Sequence, residues 1–262
     1  MKLHLVHVPL DMRTFNRWAG DRELIRRGTF DAGYAFHILL SSMFGKGVLQ
    51  PFRLFASERR RKAALYGYSG VDQTELRRQA AAVAPPDCEA VVDPQRLRSK
   101  PMPTHFEQGE RLGFDLRLRP VRRVRSDVHD PQFGSSLKRG SEVDAFRLEL
   151  IRRFPTEPGK PNKSDAAEAG VTRQSIYAKW LSERLGDAAS VEHCELAAFQ
   201  RSRVIRGGSG GPEGPDVVLH GAMTVGREDE FARVLRKGVG RHRAYGYGML
   251  LLRPPSRSAP GR

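Results

Sequence analysis

From Leu3 to Leu10 the chain alternates, with Leu3, Leu5, His7 and Pro9 on one side and His4, Val6 and Val8 on the other. That is the period-2 pattern of a strand, ended by Pro9 and Asp11. Met12 to Arg27, with Phe15, Trp18, Leu24 and Ile25 among basic residues, reads as partly helical. A clearer helix is predicted from Phe30 or Asp31 to Phe44. At about 100° per residue Ala32, Phe36, Leu39, Leu40 and Met43 gather in one apolar sector. Asp31 is placed to cap this helix, and Gly45 and Gly47 stop it. Gln50 to Ala56 and Ala63 to Tyr68 predict two strands joined by the basic hairpin Ser57 to Lys62. Thr74 to Val83 predicts a helix ended by Pro85-Pro86, and Glu89 to Leu97 a fourth strand.

A proline-punctuated passage, Lys100 to Thr104, leads to a second strict alternation: Leu112, Phe114, Leu116 and Leu118 face one way, and Gly113, Asp115 and Arg117 the other. Beyond it Val143 to Phe154 has helical spacing, and a further helix runs from about Ser164 or Thr172 to Leu185. Val191 to Ile205 and Val217 to Val225 read as a strand pair around the glycine-rich linker Gly207 to Pro215. Glu228 to Lys237 is an amphipathic helix on Phe231, Val234 and Leu235, with Gly238 as its C′ residue, and Met249 to Leu252 is the last strand. The second half thus repeats strand, helix, two strands, helix, strand. The predicted fold is α+β, two tandem ferredoxin-like, RRM-like βαββαβ domains. Residues 1–99 form the first domain, 100–108 a linker, 109–253 the second domain, and 254–262 a tail expected to be disordered.

Composition then narrows the partner. Lys+Arg 45 against Asp+Glu 30 in 262 residues leaves a formal charge of +15, which calls for a polyanion, nucleic acid being the commonest. No apolar run long enough to span a bilayer occurs, and the N-terminus turns polar too early for a secretory signal, so a cytoplasmic protein without membrane partners is expected. Two cysteines, Cys88 and Cys194, cannot form a zinc site by themselves.

Candidate chemistry gathers in three places. In the stretch Gly238 to Leu252, Gly238, Gly240, Gly246 and Gly248 alternate with Arg241, His242, Arg243, Tyr245 and Tyr247. A flexible loop flanked by guanidinium groups suits a phosphate backbone; a plain turn before the last strand is the alternative. On the predicted helix Phe30–Phe44, Tyr34, His37 and Ser41 fall opposite the apolar sector. An imidazole titrating near neutrality beside a phenol can move a proton on RNA, which carries its own nucleophile in the 2′-hydroxyl. Arg201, Arg203 and Arg206 alternate on a strand before the glycine-rich linker, placed to grip RNA phosphates. No metal site or cofactor is expected, because His4 and His7 lie on opposite strand faces and His220 and His242 have no partner at ligand spacing. Lys163 to Leu185 resembles a helix-turn-helix on Ala166, Gly170 and Ile176. In that reading Arg173, Gln174 and Tyr177 would enter a DNA groove; an ordinary helical hairpin with Gly170 as a C′ residue is the preferred alternative.

Four stretches together resemble one family: FDAGYAFHILLSSMFG (Phe30 to Gly45), LYGYS (Leu65 to Ser69), GERLGFDLRLRPVRR (Gly109 to Arg123) and VLHGAMTVGREDEFARVLRKGVGRHRAYGYGMLLLRP (Val218 to Pro254). They are similar to the CasE type of CRISPR RNA-processing endoribonuclease of type I-E Cascade. The resemblance implies tandem ferredoxin-like domains, binding of the CRISPR repeat hairpin RNA, and metal-independent cleavage of precursor CRISPR RNA at the hairpin's 3′ base. It also implies retention on the product beside other Cascade subunits. By motif, His37 is the catalytic histidine and Tyr34 its partner, with acid and base unassigned between them. The RNA-binding set is Arg201, Arg203 and Arg206 of the arm, with Lys237, Gly238, Gly240, Arg241, Arg243, Gly246 and Gly248 of the loop. The chain departs from the family pattern where His242 or Arg243 stands for a lysine and Arg119-Pro120 for Asn-Pro. A non-cleaving RNA-binding subunit of the same assembly is the alternative reading.

Overall fold

The alternation at the N-terminus forms β1 (His4–Asp11), whose Val6, Val8 and Leu10 are buried. In the computed structural model the described residues are 2–26, 29–56, 62–130, 135–154, 163–206 and 209–255. Asp11 ends β1 and caps α1 (Met12–Asp21), accepting from the Thr14 N–H at 2.9 Å. Asp31 does the same for α2 (Ala32–Phe44), accepting from the Tyr34 N–H at 3.0 Å. As the angular pattern predicts, α2 buries Phe36, Leu39, Leu40 and Met43. β2 (Leu49–Ala56), β3 (Lys62–Ser69), α3 (Gln73–Val83) and β4 (Arg98–Pro101) follow, and the sheet runs β2-β3-β1-β4 with every neighbour antiparallel.

The fourth strand is not Glu89 to Leu97. That segment makes a short helix at Pro86–Glu89 and a 3₁₀ turn at Pro94–Arg96. Asp93 accepts from the Gln95 N–H at 2.9 Å, Pro94 has no N–H to give a ladder, and Val91, Val92 and Leu97 are buried in the first core instead. The strand begins one residue later, at Arg98.

The second half repeats the order. β5 (Arg111–Leu118) is followed by α4 (Ala145–Arg153), α5 (Lys163–Glu168), α6 (Arg173–Leu185), β6 (Ala189–Arg206), β7 (Ser209–Val225), α7 (Glu228–Lys237) and β8 (Leu250–Arg253). The sheet order β6-β7-β5-β8 matches the first, so two antiparallel ferredoxin-like sheets stand in tandem. β6 and β7 form a longer hairpin than the pattern predicts. Pairing continues past Val217 through Arg201↔Pro215 and Ser202↔Gly214 to Arg206↔Ser209, with one register shift in that stretch, between Arg203 and Ile205. Glycine and proline are tolerated there because the other edge of β7 is paired with β5 only from Val217 onward. The basic turn 57–61 and residues 256–262 of the tail lie outside the described residues.

Packing favours the helical hairpin over the helix-turn-helix reading. Ala166 and Ile176 are buried as that motif requires, but the side chains that would read bases are already engaged. Tyr177 is fully buried and donates to Asp144 Oδ1 at 2.9 Å. Arg173 donates to Asp144 Oδ2 at 2.8 Å, and the Gln174 carbonyl oxygen accepts from the Leu196 N–H at 3.1 Å. The helix is a layer on the second sheet, not a free groove reader.

The halves are joined by buried polar groups as well as apolar ones. Tyr68, Met102 and Phe106 belong to the second core, and the Tyr68 hydroxyl donates to the Leu250 carbonyl at 2.9 Å. Burial pushes that phenol's pKa up, so it stays a donor. Arg53 of β2, 7% exposed, is paired with Asp115 of β5, 1% exposed, whose carboxylate also takes Arg253 and His220. Among the described residues no helix is long and apolar enough to cross a membrane.

Candidate functional site

Tyr34 and His37 lie half-buried on the side of α2 away from its core residues. His37 shares a small hollow with Ser41, Gly45, Gly47 and Gln50. Burial, and secondarily the charge of Lys46, hold the His37 pKa below its ordinary 6.5, because both disfavour the imidazolium. At neutral pH the ring is therefore neutral and able to take a proton.

What stands against this pair comes from the far end of the chain. Tyr245, in the loop after α7, puts its ring 5.5 Å from that of His37 at 84° and 6.1 Å from that of Tyr34 at 58°. The backbones meet too: a Cβ on Gly33 would sit 2.3 Å from the Tyr245 carbonyl oxygen. The sequence pattern puts the glycine loop and α2 in separate domains. The fold lays one on the other.

Gly238, Gly240, Gly246 and Gly248 all have positive φ, as does His242. Two of the four show why nothing larger fits. A Cβ on Gly248 would lie 2.3 Å from the Val239 carbonyl oxygen, and one on Gly240 would lie 2.7 Å from the Trp180 ring. The loop is closed by Val239 N–H to Gly248 O at 2.8 Å, Tyr245 N–H to His242 O at 2.8 Å and Gly248 N–H to Arg117 O at 2.7 Å. These bonds use donors that a phosphate cradle would need. Gly248→Val is expected to cost about 2 kcal/mol or more, read from the urea midpoint. Gly20→Ala, in α1 with nothing within 4 Å, should instead hold or raise stability by about 0.5 kcal/mol.

The cations of the predicted RNA-binding set are spread over different duties. Arg241 pairs with Glu142 at 2.8 Å, and the buried His242 ring meets the same carboxylate at 3.1 Å. Arg243 donates to the Lys237 carbonyl at 3.0 Å, closing the end of α7, while the Lys237 side chain is exposed. On the hairpin, Arg201 is exposed and pairs with Glu213 at 3.2 Å. Arg203 is exposed at the rim of a cleft that Tyr245 also lines. The Arg206 side chain lies outside the described residues.

Sequence reasoning missed the group beneath the loop. Arg117 donates to both oxygens of buried Asp216, at 2.8 and 2.6 Å, and its guanidinium lies 4.7 Å from the Tyr247 ring. Burial pushes the Asp216 pKa up, but the hydrogen bonds and charge of Arg117 outweigh it and hold the carboxyl below its ordinary value. Arg119 donates to Ser202 Oγ at 2.7 Å, and its guanidinium lies 5.6 Å from the same Tyr247 ring. The one signal for these residues was Arg117 on the polar side of a strictly alternating strand; its partner, 99 residues on, had no mark.

Two like-ordered βαββαβ sheets, meeting where a histidine, tyrosines and arginines gather, define a tandem ferredoxin-like protein with Tyr34 and His37 at its seam. The chain belongs to the CRISPR associated protein family, whose model matches residues 3–254. Its fold is similar to that of CRISPR endoribonuclease Cse3 bound to 19 nt RNA, with TM-score 0.60 and 16% identity, covering 97% of this chain and 100% of that one. It is equally similar to Thermus thermophilus Cse3 bound to an RNA representing a pre-cleavage complex, with TM-score 0.60, 18% identity and the same coverage. Cas6e from Escherichia coli K-12 matches with TM-score 0.53 and 19% identity over 97% of this chain and 100% of that one. No curated protein matches the chain in sequence.

Proposed function

We propose that this chain is a CasE-type endoribonuclease. It binds the CRISPR repeat hairpin through its second domain (109–253), cleaves precursor CRISPR RNA at the hairpin's 3′ base with Tyr34 and His37 of its first (1–99), and stays on the product beside other Cascade subunits. The observation that carries the reading is the neutral-leaning His37 beside Tyr34, with the glycine loop packed against both. Family membership, the RNA-bound proteins of like fold and the +15 charge support it.

The chemistry follows from RNA itself. A base takes the 2′-hydroxyl proton, and that oxygen bonds to the adjacent phosphorus. The bond to the 5′ oxygen breaks, and an acid returns a proton to the leaving oxygen, giving a 2′,3′-cyclic phosphate and a 5′-hydroxyl. Neutral His37 suits the base and Tyr34 the proton donor or positioning group. Guanidinium groups near the seam stabilise the negative charge that builds on the phosphoryl oxygens. Nothing in these steps calls for a metal ion.

The test is a gel assay with the repeat hairpin RNA in excess EDTA. Undiminished cleavage with cyclic-phosphate ends is expected, and a 2′-deoxy substitution at the cut should block it. Loss of activity on chelation would sink the metal-independent mechanism. Tight hairpin binding without a cut would favour the non-cleaving subunit, and preference for duplex DNA at matched salt would overturn both.

A further inference from the structure

A cleft of about 190 Å³ opens at the seam, lined by Tyr245 and by the start of α2. It is smaller than the roughly 300–1,000 Å³ of pockets for drug-sized ligands, and so of a size for one planar ring system. Phe52 from the first sheet and Tyr245 from the loop supply aromatic walls. Tyr245 is half-exposed, so its ring is both the wall of this cleft and the neighbour of His37 and Tyr34.

The charges in the lining favour a neutral occupant over a phosphate. Arg117 and Arg203 are offset by Asp31 and Asp216, two cations against two carboxylates. Asp31 also accepts the Tyr34 N–H at the start of α2, which occupies a donor that an anion would otherwise use. Asp216 is held by Arg117 and by the Gln200 amide N–H at 2.9 Å. Gln200 therefore keeps a carbonyl oxygen and Arg203 a set of N–H donors for the edge of a polar ring. A planar, neutral ligand with a hydrogen-bonding edge, next to a phosphate-cleaving pair, is a nucleobase.

The geometry points to a base-capture pocket: one of the two nucleotides flanking the scissile phosphate leaves the stack, lays its base against Tyr245 and presents its edge to Gln200 and Arg203. This rests on the endoribonuclease reading. It adds that the enzyme reads a base at the cut, and that the loop's aromatic ring couples this reading to the position of the catalytic pair.

The experiment measures binding of repeat RNA made uncleavable by a 2′-deoxy residue at the cut, with an abasic site at either flanking nucleotide or three nucleotides away. For the wild type, an abasic site at one flanking position should weaken binding roughly tenfold, the scale of one base–aromatic stack; the distant one should cost less than twofold. Tyr245→Leu should weaken binding of the intact RNA by a similar factor and lose no more when the flanking base is removed. Equal losses in wild type and Tyr245→Leu, or no loss at either flanking position, would overturn the pocket. Should Tyr245→Leu lack the wild-type circular dichroism, 2-aminopurine at the flanking positions of RNA bound to wild type decides: quenching no greater than at the distant position counts against it. Wild type that neither binds nor cuts repeat RNA removes the functional reading itself, whereas cutting with no sensitivity to the flanking base removes only the pocket.

Discussion

His37→Ala is expected to slow cleavage of the repeat hairpin by about 100- to 10,000-fold, the usual contribution of a positioned proton-transfer group, while hairpin affinity stays within a few fold. The reason for the split is the charge state. Burial and Lys46 both hold the imidazole below its ordinary 6.5, so at pH 7 it carries no charge to attract phosphate and its removal costs little binding. The pH profile follows from the same direction. With His37 as base, kcat/KM should be flat above pH 6.5 and fall as the pH drops through the depressed folded value. An acid limb above pH 6.5 would overturn the assignment. The same group makes folding weaker in acid: its contribution is fully present above the unfolded value near 6.5 and is lost as the pH falls through the folded one.

Asp115→Ala should be the most damaging substitution away from the cut, at about 3–5 kcal/mol, the range for breaking a buried ion pair by removing one partner. Asp115 is 1% exposed and Arg53 7%. Removing the carboxylate leaves a guanidinium shut inside the seam without its counter-charge, and also frees Arg253 and His220. A urea midpoint corresponding to a loss below 1 kcal/mol would show that the seam does not depend on this cluster. Arg53→Met combined with Asp115→Ala should recover much of the loss, because the stranded charge is then gone. Cleavage should fall with Asp115→Ala as well, since β2, which bears Arg53, also carries the Phe52 that packs beside the glycine loop.

Where the chain's own neighbours decided the outcome, the sequence was readable. α2 was legible because its apolar residues recur at the helical angle and its cap and stop lie within a few positions. The strands β1 and β5 were legible because alternation is a two-residue property. The stretch Glu89 to Leu97 was misread because its valines and leucine looked strand-like, while the Asp93-Pro94 turn that takes them into the core leaves only a two-residue mark. The arm was read too short because glycine and proline usually end a strand, and whether an edge needs its ladder depends on what lies beside it.

The placement of Tyr34 and His37 was legible for a related reason: they occupy the polar angle of a helix whose other side must be buried. Their surroundings were not. That Tyr245 would stand against both, that Arg241 would be held by Glu142, and that Arg117 would be locked to Asp216 under Tyr247 all turn on residues far apart in the chain.

By itself, then, the sequence determined two βαββαβ repeats, a strongly basic protein and a histidine and tyrosine aimed away from a helical core, since each of these is written in periodicity or in composition. Only the tertiary structure decided that the glycine loop packs against Tyr34 and His37, which of its cations are already engaged, and that Tyr245 lines a cleft whose charges balance. Periodicity says which way a side chain faces. What it meets there depends on how two sheets are docked, and that is set by buried contacts such as Arg53 with Asp115 and Tyr68 with Leu250, whose partners carry no local sign of one another.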